Sequence, residues 1–177
     1  TESGCPMFVN TGTSSEYGLK NSAPQEDEPL EPNSKYAAAK GFATHWCGVT
    51  AREKKIHAPT LRLYSVYGPW ESDKRFVPAL IPAGLNGTYP PLVAPNIARD
   101  FVHVDDVIDA MLTIACRQDL PADAVYNIGT GIQTTIGDAV SLAAEILSIV
   151  DAPKWGSMSN RDWDTTCWVA DAAKIQA

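Results

Sequence analysis

Hydrophobic positions change their period several times along the chain, and each change predicts a new element. Met7 to Asn10 is a short apolar run that ends in the small polar string Thr11-Gly12-Thr13-Ser14-Ser15. It predicts a buried strand running into a loop. Residues 19–33, rich in Asn, Ser, Pro and acids, extend that loop, and Asn33 or Ser34 caps a helix predicted over about Lys35 to Lys55. The run TLRLYSV, Thr60 to Val66, predicts a second strand that Gly68-Pro69 breaks. Phe76 to Leu85 reads as helical despite Pro78 and Pro82, and Tyr89 to Pro95 as a Pro-rich loop. Asp100 to Val104 is a short extended piece. A helix opens at Asp105, where Asp105 and Asp106 suit the positive N-terminal end. Val125 to Ile128 is a strand and Gly129-Thr130-Gly131 a turn. Ile136 to Val150 is an amphipathic helix with Ile136, Val140, Ala143 and Leu147 along one side. Strands alternating with helices predict an α/β architecture with a parallel sheet.

Composition narrows the classes of function. A chain of 177 residues with 45% hydrophobic and 20% charged side chains is expected to form one domain with a real core. Lys+Arg 14 against Asp+Glu 21 leaves a net charge of -7, which argues against nucleic acid as a partner. No apolar run approaches the roughly 18 residues of a membrane helix, and TESGCPMFVN lacks the basic start and apolar stretch of a signal peptide. Cys5, Cys47, Cys116 and Cys167 are widely separated, with no CxxC or Cys/His cluster. Neither a metal site nor a disulfide framework is expected, and a reduced, cytoplasmic setting follows.

The chemistry concentrates in SKYAAAK. Tyr36 and Lys40 stand four apart on a predicted helix and so share a face one turn apart. An ammonium beside a phenol favours the phenolate, whose pKa is normally near 10. Such a tyrosine exchanges a proton with a substrate hydroxyl or carbonyl near neutral pH. The Thr13-Ser14-Ser15 string, at the carboxyl end of the first strand, is placed to hold the substrate oxygen, because ligands of open α/β sheets bind at those strand ends. The plain alternative is a Tyr36 packed in the core and a solvated Lys40. One feature departs from a complete nucleotide-binding domain: no GxGxxG or GxxGxxG follows any strand, and the close-set Gly129 and Gly131 come late.

Taken in order, FVNTGTSSEYG, PNSKYAAAK, LRLYSVYGP, ARDFVHVDD and YNIGTG resemble the extended short-chain dehydrogenase/reductases that act on nucleotide sugars, the nucleotide-sugar epimerases, 4,6-dehydratases and deoxysugar ketoreductases. The resemblance covers nearly the whole chain. It implies a partial Rossmann-like, doubly wound parallel sheet plus a small C-terminal substrate-binding lobe. Residues 1–70 would carry the YxxxK pair, and 71–177 would be mainly the nucleotide-sugar lobe, with strand and helix returns to the sheet. Tyr36 would be the acid/base tyrosine. Lys40 would tune it and bind the nicotinamide ribose. Thr13, four residues before Tyr17, would assist, with Ser14 beside it in reserve. LRLYSVYGP would lie beside the nicotinamide, with Tyr64 and Val66 as cofactor contacts. Ser65 stands where sugar epimerases often carry a substrate-contacting Asn.

Arg99 resembles the arginine that holds the substrate diphosphate, in keeping with the match between a guanidinium fork and phosphate oxygens. Arg161, in RDWD, resembles a second one. For both, a salt bridge with Asp100, Asp162 or Asp164 is the plain alternative. Leu92, Val93 and Ala94 fall where the family wraps the nucleotide base, or else simply pack. Arg62 is expected to be a structural partner of the sheet end, and His103, Asp105 and Asp106 to form a helix start. The implied cofactor is NAD, with NADP open, the implied substrate a nucleotide sugar, and the implied assembly a homodimer through the YxxxK helix.

Family dehydratases place an acid right after the threonine. Here Ser14 and Ser15 stand there and Glu16 is one residue too late, which leaves epimerisation or keto-reduction, with epimerisation preferred. About 110–130 residues carrying the glycine-rich dinucleotide loop would precede Thr1 in the family pattern. By itself the chain is then expected to turn over poorly. The competing class is a truncated, non-catalytic domain that binds nucleotide sugars or itself.

Overall fold

The structure, a computed structural model, describes residues 4–117 and 119–177. In chain order it contains β1 (Asn10–Thr13), a 3-10 turn at Ser14–Tyr17, α1 (Lys35–Lys54), β2 (Thr60–Leu63), β3 (Ser65–Tyr67), α2 (Phe76–Leu85), β4 (Ala98–Arg99), β5 (Phe101–His103), α3 (Val104–Cys116), β6 (Val125–Ile128), β7 (Thr134–Thr135), α4 (Ile136–Leu147) and α5 (Ala173–Gln176). β1, β2 and β6 form a parallel sheet in that order, with Gly12 beside Arg62 and Arg62 beside Asn127. β3 pairs in parallel with β5, and β4 antiparallel with β7. The fold is mixed α/β and Rossmann-like. Among the described residues no helix is long and apolar enough to cross a membrane.

Two strands differ from the expectation. The first ladder begins at Asn10, where the apolar run was expected to end. Met7 makes one isolated bridge with His57, and Phe8 is exposed. Pairing geometry overrides apolarity here. Asn10 donates from its backbone to the Pro59 carbonyl and from its amide to Thr60 Oγ1, locking Thr11-Gly12-Thr13 against β2. The small residues fit that place, because a Cβ on Gly12 would fall 2.7 Å from Thr60 and 2.8 Å from Glu16. The expected strand Thr60–Val66 is likewise two. Tyr64 N donates to the Ile128 carbonyl, but Ser65 N donates to the Asp100 carbonyl, so the chain changes sheets at Tyr64.

Helix ends follow local chemistry. Ser34, rather than Asn33, caps α1 by accepting a hydrogen bond from Ala37 N. The His103 side chain caps α3 by accepting from Asp105 N, which makes it a helix-start residue as expected. α4 stops at Leu147, three residues short of the expectation, because Ser148 takes a left-handed conformation and turns Ile149 inward, leaving Val150 exposed.

Side chains collect into two cores. Leu61, Val102, Val107, Ile114, Ala124, Tyr126 and Ile128 fill the first, around the parallel sheet and α3. Leu80, Leu92, Ile97, Ile136 and Val140 fill the second, around α2 and α4. The C-terminal segment bridges them: Thr165 accepts from Ala98 N, and Ala170 N donates to Asp100.

Candidate active site

The carboxyl end of β1 gathers the hydroxyl-rich string, the YxxxK pair and a buried carboxylate. Helix α1 packs on β1 with Ala37, Gly41, Thr44 and Ala51 buried on its inner side. That contact brings Lys40 Nζ to the Thr11 carbonyl, 2.8 Å away. Tyr36, one turn earlier, is 58% exposed and is therefore no core residue. Thr13 and Ser14 are buried, and Thr13 Oγ1 accepts from Ser15 N to cap the 3-10 turn.

Beneath this surface lies a network of buried polar groups. Glu16, fully buried, accepts from Thr13 N at 3.0 Å, Thr44 Oγ1 at 2.9 Å and Arg62 Nε at 3.0 Å. Arg62 also donates to Tyr17 Oη and the Glu26 carbonyl, and its guanidinium lies 4.5 Å over the Tyr17 ring. Tyr17 Oη donates to Asn127 Oδ1, and Asn127 Nδ2 donates to the Pro24 and Asp171 carbonyls. Burial pushes the Tyr17 phenol above the ordinary tyrosine range, while Arg62 pulls it back. One connected set of bonds thus fixes the Thr13-Ser14 turn, the loop after it and the C-terminal segment. Arg62 is the structural partner that was expected. Asn127 and the structural role of Glu16 escaped sequence reasoning, although the T-x-x-E capping pattern around Glu16 was a usable signal.

Asp100 was also missed as an organising residue. It is fully buried and accepts from Thr130 N, Thr130 Oγ1, Gly131 N and Ala170 N. A Cβ on Gly129 would fall 2.7 Å from its carboxylate, so the GTG turn closes tightly over it.

The two expected phosphate arginines sit differently. Arg99 is half-buried; its Nη2 meets Asp164 Oδ1 at 2.5 Å and its Nη1 donates to the Ala98 carbonyl. Burial lowers its pKa, Asp164 opposes that, and the positive charges of Arg75 and Arg161 lower it further. Arg99 therefore lies within electrostatic reach of Arg75 and Arg161, and Arg75 was not foreseen. Arg161 is exposed, its guanidinium over the Trp163 ring, and its backbone N donates to Asp164 Oδ2. Leu92 is 1% exposed in the second core, with its backbone N–H and carbonyl engaged by Ser157 and Met158, so it packs. Val93 is half-buried beside it, and Val66 packs against the first core. Ser65 opens β3 opposite Phe101.

Tyr64, at the change of sheets, is buried and lines a narrow cleft of about 20 Å³, room for one hydroxyl-sized group, with Ser14, Lys20, Ser22, Cys167 and Trp168. Its ring meets Trp168 edge-on at 6.4 Å.

The chain is 28% identical over 181 residues to a dTDP-glucose 4,6-dehydratase of Streptomyces griseus, covering 99% of this chain and 53% of that protein. MoeE5, solved in complex with UDP-glucose and NAD, superposes with a TM-score of 0.87 at 30% identity, over 99% of this chain and 58% of that one. The UDP-glucose 4-epimerase of Thermus thermophilus, in complex with NAD, superposes at 0.86 with 25% identity, over 99% and 58%. The chain thus spans about half the length of these relatives. The profile of the NAD dependent epimerase/dehydratase family matches residues 1–129, from before β1 through the YxxxK helix to the end of β6, and the chain belongs to that family.

Proposed function

We propose that the chain carries the acid/base and substrate side of an NAD-dependent nucleotide-sugar epimerase. The observation that carries this reading is the meeting of Lys40 with the carbonyl of Thr11, two residues from Thr13, beside an exposed Tyr36. A lysine ammonium has three donors, and the bond to Thr11 leaves two for the ribose diol of a nicotinamide nucleotide. That arrangement fits the nicotinamide-ribose end of NAD, with Tyr36, Lys40, Tyr64 and Val66 as the holding residues. Bound NAD supplies a hydride acceptor and donor at a sugar carbon. Tyr36 moves the proton of the sugar hydroxyl, and Thr13, with Ser14, holds the same oxygen. Arg99 and Arg161, joined by Arg75, offset the charge of the diphosphate. Glu71 pairs with Arg75 and Asp164 with Arg99, and Arg161 is exposed with its guanidinium over the Trp163 ring.

Epimerisation is favoured over dehydration by the state of Glu16. Elimination of water needs an acid beside the threonine, but Ser14 and Ser15 stand there, and the Glu16 carboxylate is sealed against Thr13, Thr44 and Arg62. A homodimer is supported by α1, which exposes Phe42, Trp46 and Val49, the first two with ring centroids 5.7 Å apart. Trp46→Glu is expected to shift such a dimer to monomer in sedimentation.

The protein is tested with NAD and UDP-, dTDP-, CDP- and GDP-glucose, with the products read by NMR. Inversion at one sugar carbon without net oxidation of the pool is expected. Accumulation of a dehydrated keto sugar overturns the reading, and stoichiometric consumption of NADH on a keto sugar makes the enzyme a ketoreductase. Tyr36→Phe is expected to lower turnover about 10²–10⁴-fold without changing Tm.

A further inference from the structure

Tyr64 combines three properties that packing alone does not explain. It is 8% exposed, and its hydroxyl has no hydrogen-bond partner among the described residues. Buried hydroxyls in folded proteins are almost always paired, so an orphaned one calls for a reason. Its position is also rigidly held. The backbone N donates to the Ile128 carbonyl at 3.0 Å, Val66 N donates to the Tyr64 carbonyl at 2.9 Å, and the ring rests edge-on against Trp168. Finally, the residue lines the cleft together with Ser14, Lys20 and Ser22. Lys20 pairs with Glu31 at 3.3 Å. A narrow polar cleft with an aromatic wall takes a single hydroxyl of a polyhydroxylated ring, whose C–H face lies outside it.

We infer that the Tyr64 hydroxyl is a specificity-determining hydrogen-bond partner for one oxygen of the sugar held against Ser14. This rests on the nucleotide-sugar reading above and deepens it. The ring and backbone of Tyr64 remain beside the nicotinamide, and its hydroxyl reads the sugar. Burial holds the phenol well above the ordinary tyrosine range, with Tyr17 and Asp100 adding to the effect and Arg62 opposing it. The hydroxyl therefore stays protonated at working pH and serves in recognition, leaving proton transfer to Tyr36. A site built to pair a substrate hydroxyl rejects an analogue lacking it, because the buried group is then left unpaired.

Tyr64→Phe removes the hydroxyl and keeps the ring. Calorimetry in the presence of NAD compares both proteins with UDP-, dTDP-, CDP- and GDP-glucose, and with the 2-, 3-, 4- and 6-deoxy analogues of whichever binds. The variant is expected to lose on the order of 10-fold in affinity for the parent sugar. For one deoxy analogue the two proteins are expected to bind alike. The Tm of the free variant is expected to equal or exceed the wild-type value, because the hydroxyl has no internal partner to lose. A lower Tm overturns the assignment by showing a structural bond. Parent-sugar binding that the variant leaves unchanged, or a loss of equal size for every deoxy analogue, overturns it while the nucleotide-sugar reading stands. A wild-type protein that binds none of the sugars overturns both.

Discussion

Arg62 on β2 and Arg99 on β4 each meet one carboxylate, yet they belong to opposite kinds of environment. Arg62 is 3% exposed, and its donors go to Glu16, Tyr17 and the Glu26 carbonyl. Arg99 is partly open, pairs with Asp164, and has the positive charges of Arg75 and Arg161 for neighbours. A guanidinium whose charge is matched within the fold holds structure. One that is partly open and has other guanidiniums near it is the proposed place for an anion. Exposure and neighbouring charge separate the two roles.

The comparison breaks most sharply on stability. Arg62→Met leaves Glu16 buried without its cation, and removing one partner of such a pair costs about 3–5 kcal/mol. A large fall in Tm with loss of the Thr13-Ser14 geometry is expected, read by thermal unfolding. A Tm within a few degrees of wild type would show that the network is dispensable. The next effect is on binding. Arg99→Ala is expected to weaken UDP or UDP-sugar binding about 10–100-fold, with a smaller Tm loss than Arg62→Met, because a hydrogen bond to a charged group contributes roughly 1.5–3 kcal/mol. The double variant Arg99→Ala with Asp164→Asn sharpens the contrast: it is expected to recover Tm but not affinity. Recovery of both would make Arg99 a structural residue like Arg62.

The smallest effect belongs to a pair on neither side. Arg117 and Asp119 meet at 2.7 Å on the surface, and Arg117 holds the Asp119 carboxyl down to about 2, below its ordinary 3.8. A depressed carboxylate stabilises the fold above its unfolded pKa and loses that contribution as pH falls through the folded one. Asp119→Asn is therefore expected to leave Tm near pH 7 almost unchanged, with any difference vanishing as the pH approaches 2 and shrinking in high salt.

Local signals made much of this fold readable. Ser34 followed by a small-residue helix predicts α1 and the shared face of Tyr36 and Lys40. The apolar stripe from Ile136 predicts α4, and the Val125–Ile128 run predicts β6. Pairings at long range were not readable. The first ladder starts at Asn10 because Pro59 and Thr60 accept its bonds, a fact held 50 residues away. The exchange of sheets at Tyr64 depends on the carbonyls of Ile128 and Asp100, which no window around TLRLYSV contains.

The candidate site divides in the same way. Its reactive members, Tyr36, Lys40, Thr13 and Ser14, are legible because side-chain spacing on one helix and hydroxyls at one strand end are local properties of the chain. Their surroundings are not. Glu16 reads as a misplaced acid until Thr44 and Arg62 close around it, and Leu92 reads as a ligand contact until the second core takes it in. Chain order alone therefore determined which chemistry is present and on which elements it rides. Only tertiary structure decided which charges are answered inside the fold, which hydroxyl is left over at Tyr64, and which arginines stay partly open. Burial and neutralisation are properties of what surrounds a group, and those neighbours come from distant parts of the sequence.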